Sequence, residues 1–147
     1  MAKYYQGMFK PKNPAKYRGD VSSITYRSSW ELRLMSHFDL HPNVIWWSSE
    51  EKAIPYISPV DGRPHRYFPD FIICTQNTAG KQQTIMIEVK PLKQTMEPTK
   101  TDKINKKYIN EVYTWGVNSS KWNAAKEYCK DRGWTFQIMT EKEIFGK

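Results

Sequence analysis

A chain of 147 residues with 39% hydrophobic and 26% charged side chains has room for one buried core, so a single domain over residues 1–147 is expected. Its 23 Lys and Arg against 15 Asp and Glu leave a formal charge of +8, which favours a polyanionic partner such as nucleic acid. No run reaches the ~20 apolar residues of a membrane span, no apolar signal core follows the basic N-terminus, and Cys74 and Cys129 match neither a CxxC nor a zinc spacing. Reduced, buried thiols in a reducing cytoplasm are expected.

In chain order, residues 1–21 interleave Lys3, Lys10, Lys12, Lys16 and Arg18 with Tyr4, Tyr5, Phe9 and Tyr17, and hold Pro11 and Pro14. They read as a basic and aromatic arm, stapled to the domain by its rings rather than stacking on bases. Ser28-Ser29-Trp30-Glu31 opens a helix whose apolar face carries Trp30, Leu34 and Phe38 to about Leu40, and His41-Pro42-Asn43 ends it. Residues 44–47 and 53–57 read as short strands, the second an edge or bulge because of Pro55, and 58–62 as a turn.

Residues 66–73 and 84–89 are aromatic and β-branched, with the polar stretch 75–83 between them, the pattern of a central β-hairpin. Pro91 and Pro98 break the basic, polar stretch 90–107, so its first part should be a loop, and a helix is expected over about 102–113. A separate helix, capped by Asn118 or Ser119, should run to Arg132 with Trp122, Ala125 and Cys129 on one face and Gly133 beyond its end. A strand over 135–139 then comes after a helical crossover, which makes it parallel to its predecessor. Thr140 and Glu143 form the ends of a capping box for a last short helix. The expected fold is α/β (α+β-like), a central mixed β-sheet flanked by helices.

The chemistry concentrates in two runs, Arg66-Tyr67-Phe68-Pro69-Asp70-Phe71 and Ile85-Met86-Ile87-Glu88-Val89-Lys90. Strand alternation puts Glu88 and Lys90 on one face and Val89 on the other, so that Asp70, Glu88 and Lys90 can converge. Hard carboxylate oxygens suit Mg²⁺ in phosphodiester hydrolysis. Asp70 and Glu88 would be its ligands, with the backbone carbonyl of Val89 as a further oxygen, and Lys90 would orient water or stabilise the transition state. The structural alternative is an exposed Asp and a cross-strand Glu/Lys pair worth about 0.2–1 kcal/mol.

A second triplet, Glu50-Glu51-Lys52, reads as a solvated turn, because it lacks the apolar run before Glu88 and the Pro-Asp dipeptide Pro69-Asp70. Glu31 is a further candidate ligand. It is equally the last residue of an S-x-x-E capping box that would return a bond to the Ser28 N–H. His65 reads as a polar surface residue ahead of a general base. Arg27, Arg66, Lys93 and Gln94 flank the site as candidate DNA contacts.

The string Tyr26-Arg27-Ser28-Ser29-Trp30-Glu31, the segment Ile54-Pro55-Tyr56-Ile57-Ser58-Pro59-Val60-Asp61-Gly62, the run His65-Arg66-Tyr67-Phe68-Pro69-Asp70-Phe71 and the strand end Ile87-Glu88-Val89-Lys90-Pro91 together resemble the head-completion nuclease family of tailed phages. More distantly, they resemble the TnsA-type transposase endonuclease subunit. The likeness covers residues 17–95 well and the C-terminal third in outline. It implies a PD-(D/E)XK, restriction-endonuclease-like core, Mg²⁺-dependent DNA cleavage (Mn²⁺ substituting), and Glu31, Asp70, Glu88 and Lys90 as the active-site positions. It also implies work in the host cytoplasm on the assembling phage head, with head or portal proteins as partners, trimming DNA before the tail is joined. Two other readings stand beside it: a non-catalytic basic protein that binds DNA ends or plugs the head, and a nuclease acting on RNA or on branched DNA in repair or recombination.

Overall fold

Apolar residues alternate along two neighbouring strands so that odd positions feed one core and even positions another. The computed structural model describes residues 6–100 and 102–146, so Lys3, Tyr4 and Tyr5 of the expected arm lie outside the described residues. The elements are β1 (Gly7–Met8), β2 (Thr25–Tyr26), α1 (Ser29–Leu40), β3 (Val44–Ser49), β4 (Ile54–Ile57), β5 (Pro64–Tyr67), β6 (Phe71–Gln76), β7 (Gln82–Val89), α2 (Lys106–Arg132), β8 (Thr135–Met139) and α3 (Glu141–Phe145). Short 3-10 turns lie at Pro14–Lys16, Val21–Ser23 and Leu92–Thr95.

The principal sheet has the order β3-β6-β7-β8, antiparallel except for the parallel β7/β8 pair. It is the mixed sheet expected of an α/β chain. On one face Phe71, Ile73 and Ile87 pack with Leu34, Met35 and Phe38 of α1, together with Trp47 and Tyr17. On the other, Ile72 and Met86 pack with Trp122, Ala125 and Cys129 of α2, and with Ile54 and Tyr67. Helices thus cover both faces, as strands apolar on both sides require. Cys74 and Cys129 are both buried free thiols.

Residues 66–73 do not form one strand. Arg66 and Tyr67 belong to β5, which pairs only with β4 in a separate two-stranded sheet, Ile54 opposite Tyr67. The hairpin to β7 begins at Phe71. Pro69 lies between the two strands and has no N–H to give to a ladder, so the chain changes partner there. Pro55 sits on β4, a strand with one partner, where its missing donor costs nothing.

The two helices expected around residue 113 are one. Asn105 caps it, its side chain accepting the Tyr108 N–H at 2.8 Å, and Asn118 is a buried mid-helix residue rather than a cap. The low helix propensity of Gly116, Asn118 and Ser119 suggests a break, at a cost of about 1 kcal/mol for the glycine, but docking on β4 and β8 outweighs it. Gly133 closes the helix in the left-handed region at φ 70°. α3 carries the full Thr140/Glu143 capping box.

The N-terminal segment is stapled down. Phe9 and Tyr17 meet Trp47 edge-on at 5.7 and 4.7 Å between ring centres. The buried carboxylate of Asp39 accepts the Lys12 and Asn13 N–H groups at 2.8 and 3.0 Å.

Candidate active site

Asp70 stands one residue before β6, where the chain has just left β5. Its Oδ2 accepts the Val89 N–H at 2.7 Å, a side chain continuing the ladder that ends in backbone terms at Phe71 and Ile87. Its carbonyl accepts the Glu50 N–H at 3.2 Å. In an extended strand the N–H and C=O of one residue face the same edge, so the Val89 carbonyl also lies on the Asp70 side of β7.

Glu88 is buried and projects to the α2 side of the sheet, where the Tyr67 hydroxyl donates to its Oε1. The Lys90 ammonium lies 3.4 Å from the other oxygen, Oε2. Val89 packs against the opposite core. Lys90 is held through its backbone as well, its N–H donating to the Met139 carbonyl of β8 at 3.0 Å. Just beyond, the Leu92 N–H donates to Glu141 at 2.7 Å.

Glu31 reaches the same place from the first turn of α1. Ser28 Oγ accepts the Glu31 N–H at 3.1 Å, but Glu31 Oε1 accepts the N–H of Arg27 at 3.2 Å, one residue earlier than the capping box requires. The Arg27 guanidinium ion-pairs with Glu50, which corrects the reading of residues 50–52 as a plain solvated turn. Glu51 departs from it too, accepting the buried Tyr17 hydroxyl at 2.6 Å. Glu50 has φ 53°, a left-handed conformation uncommon for a residue with a Cβ and found preferentially where a site constrains the chain.

Electrostatics ties these groups together. Burial, and then the charge of Glu88, push the Asp70 carboxyl up to about 8, with Glu31 adding to the rise and the Val89 N–H and Lys90 opposing it. Burial raises Glu31 as well, reinforced by Glu50 and Glu88 and opposed by the Arg27 N–H and charge. Burial and then Glu88 hold the Tyr67 hydroxyl far above the ordinary tyrosine range. Among the described residues no three Asp, Glu, His or Cys side chains stand close enough, as placed, to surround one ion. Tyr67 and Lys90 engage Glu88, and the Arg27 N–H engages Glu31. By chemistry the donors suit a hard divalent cation, whose charge would offset the burial and the mutual repulsion that raise Asp70 and Glu31.

The other candidates are dispersed. His65 is half-exposed and pairs with Asp61 at 2.9 Å within the β4–β5 hairpin. The Arg66 guanidinium lies over the Phe68 ring at 5.5 Å. Lys93 and Gln94 line a cavity against α2. Tyr67 and Glu50 were not singled out by their sequence. The only signals were an aromatic residue three positions before Asp70 and a second acid-rich triplet with no strand around it.

A mixed sheet covered by helices, with acids and a lysine gathered where its two inner strands meet, places the molecule in the class of α/β nucleases. The chain belongs to the TnsA-like endonuclease N-terminal family, whose model matches residues 41–141. It is 43% identical over 141 residues to the head completion nuclease of Enterobacteria phage T4, covering 93% of this chain and 91% of that protein. The similarity therefore runs through the C-terminal third, further than the motifs suggest. No solved structure matches at a comparable level of significance.

Proposed function

We propose that this protein is a divalent-metal-dependent DNA nuclease of phage head completion, with Mg²⁺ held by Asp70, Glu88 and Glu31 and by the Val89 carbonyl, and Mn²⁺ able to replace it. The observation that carries this reading is the half-buried Asp70 carboxyl, which feels the charges of Glu88 and Glu31 and of the Lys90 ammonium. Such an arrangement destabilises the empty charged site, a cost with a purpose if a cation and a phosphate are to enter. A divalent cation in such a site supplies Lewis-acid polarisation of the phosphodiester and neutralises developing charge.

The chain's own residues do the rest. Tyr67 fixes the Glu88 carboxylate through one oxygen, so the other faces Lys90. The Lys90 ammonium, strapped to β8 through its own N–H, is placed to donate to a phosphate oxygen or to the attacking water. Arg27 stands beside Glu31 and can leave Glu50 to take a phosphate. The 43% identity to a protein named for head completion supports a task at the phage head, trimming DNA before tail joining, inside the host cell.

The test is cleavage of linear and circular DNA with Mg²⁺ or with chelator, comparing wild type with Lys90→Ala and Glu31→Gln. Gln keeps an oxygen for the Arg27 N–H but loses the charge. Cleavage should vanish with chelator and fall at least about 100-fold in both variants at unchanged melting temperature. DNA bound but uncut under every metal, or variants as active as wild type, would sink the assignment and favour a basic DNA-end-binding protein.

A further inference from the structure

A cavity of about 840 Å³ lies between the loop that follows Lys90 and the first half of α2, within the size range of small-ligand sites. Lys93 and Lys107 line it, but so do Glu97 and Glu111, so its charges balance and it is not a track for phosphates. Its remaining chemistry is of two kinds. Trp115 offers an indole face at a half-buried position, braced edge-on by Trp122 at 6.4 Å between ring centres. Asn118, one turn further along α2, is only 7% exposed, and no hydrogen bond to its amide is found among the described residues. The amide is not sealed off either, since Trp47 and Trp122 hold the only fully enclosed, unpaired side-chain nitrogen or oxygen atoms there. Asn118 lines the cavity.

The Asn118 amide can offer a donor and an acceptor to whatever enters the cavity that it lines. An indole face and an amide side by side on one face of α2 suit a nucleobase, which stacks by its face and bonds by its edge. The cavity is linked to the acids through neighbouring residues on α2 and on the loop after Lys90. Lys121, three residues beyond Asn118, holds its ammonium 5.8 Å from the centre of the Tyr67 ring, and Tyr67 holds Glu88. Lys93 is three residues past Lys90. Trp122 and Glu88 both lie on the α2 side of the sheet.

We propose that this cavity receives one unpaired nucleobase next to the phosphate being cut, so that the preferred substrate is DNA with a single-stranded segment at the cut (an overhang, flap or branch) rather than blunt duplex. This rests on the nuclease reading above. A paired base hides the edge that Asn118 would read and the face that Trp115 would cover.

Binding without cleavage tests it. The full chain carrying Lys90→Ala, in chelator, is titrated with a short oligothymidine strand, with an abasic strand of equal length and with blunt duplex, following tryptophan quenching and anisotropy. The base-bearing strand should bind about tenfold more tightly than the abasic one, and Trp115→Leu or Asn118→Ala should each remove most of that difference. Trp115→Leu, at a half-buried position, keeps the test decisive if Asn118→Ala does not fold. Equal affinity for the two strands, or variants that keep the tenfold difference, overturns the pocket. In a parallel assay with Mg²⁺, wild type should cut forked DNA in preference to blunt DNA. Equal cutting removes the pocket and leaves the nuclease. Base-dependent binding with no cutting of any DNA supports the pocket and removes the nuclease.

Discussion

Asp70 is kept in a state that favours function over stability. Its carboxyl has a value of about 8 in the fold against about 3.9 in an unfolded chain. Between those values the folded protein holds a proton that the unfolded chain has released, so the stability tied to that proton is present in acid and is lost as pH rises towards 8. Asn carries no such proton and can still accept the Val89 N–H. In chelator, wild-type melting temperature should therefore fall between pH 5 and 8 more than that of Asp70→Asn, and at pH 8 the variant should melt higher. A wild-type profile parallel to the variant's would show that Asp70 is ionised throughout. Glu50 shows how a single residue can mislead. Its triplet resembles Glu88-Val89-Lys90 in letters, yet its left-handed backbone and its pairing with Arg27 depend on where β3 ends, which no local pattern reveals.

At the scale of elements, α2 is the informative case. Its start depends on the Asn105 side chain, and Asn105→Ala should cost about 1 kcal/mol in urea unfolding, the usual worth of such a cap. No loss would mean that the first turns contribute nothing to stability. Most of the fold was readable before the structure: α1 and its cap, the β6–β7 hairpin from position 71 on, the parallel β8 and the Thr140 box all follow from local periodicity and turn chemistry. The misreadings share one cause. Residues 66–73 look uniform, but their hydrogen-bond partners change at Pro69, and Asn118 and Ser119 look like a helix start but lie inside a helix that packs on β4. Both outcomes are set by contacts distant in sequence, the second by the packing of the whole of α2 on β4 and β8. The same holds for the site. Asp70, Glu88 and Lys90 were visible as a spaced set, whereas Tyr67 enters only because β5 folds over the face that Glu88 shares.

Across the whole molecule, one indole joins the parts. Trp47 is fully buried and touches Phe9 and Tyr17 of the N-terminal segment, Phe38 of α1 and Phe71 of β6. Trp47→Ala should cost about 3–5 kcal/mol in equilibrium unfolding and expose the N-terminal segment to protease. A loss below about 1 kcal/mol would mean that this segment only rests on the surface. The formal charge of +8 is consistent with this arrangement. Basic residues such as Lys12 and Lys16 are fixed to the body of the protein, through a backbone N–H to Asp39 and an ammonium on the Asp39 and His41 carbonyls, and do not trail from it.

The bond from the Lys90 N–H to the Met139 carbonyl also bears on when the candidate site can first form. Strand β8 follows β7 in the chain only after the whole of α2, so the two form a long-range pairing, the kind that is slow to form. Until then the end of β7 has no neighbour on that side, and Lys90 and the turn behind it are unsecured. Whatever Asp70, Glu88 and Lys90 do together therefore waits on the docking of α2 and the pairing of β8 with β7.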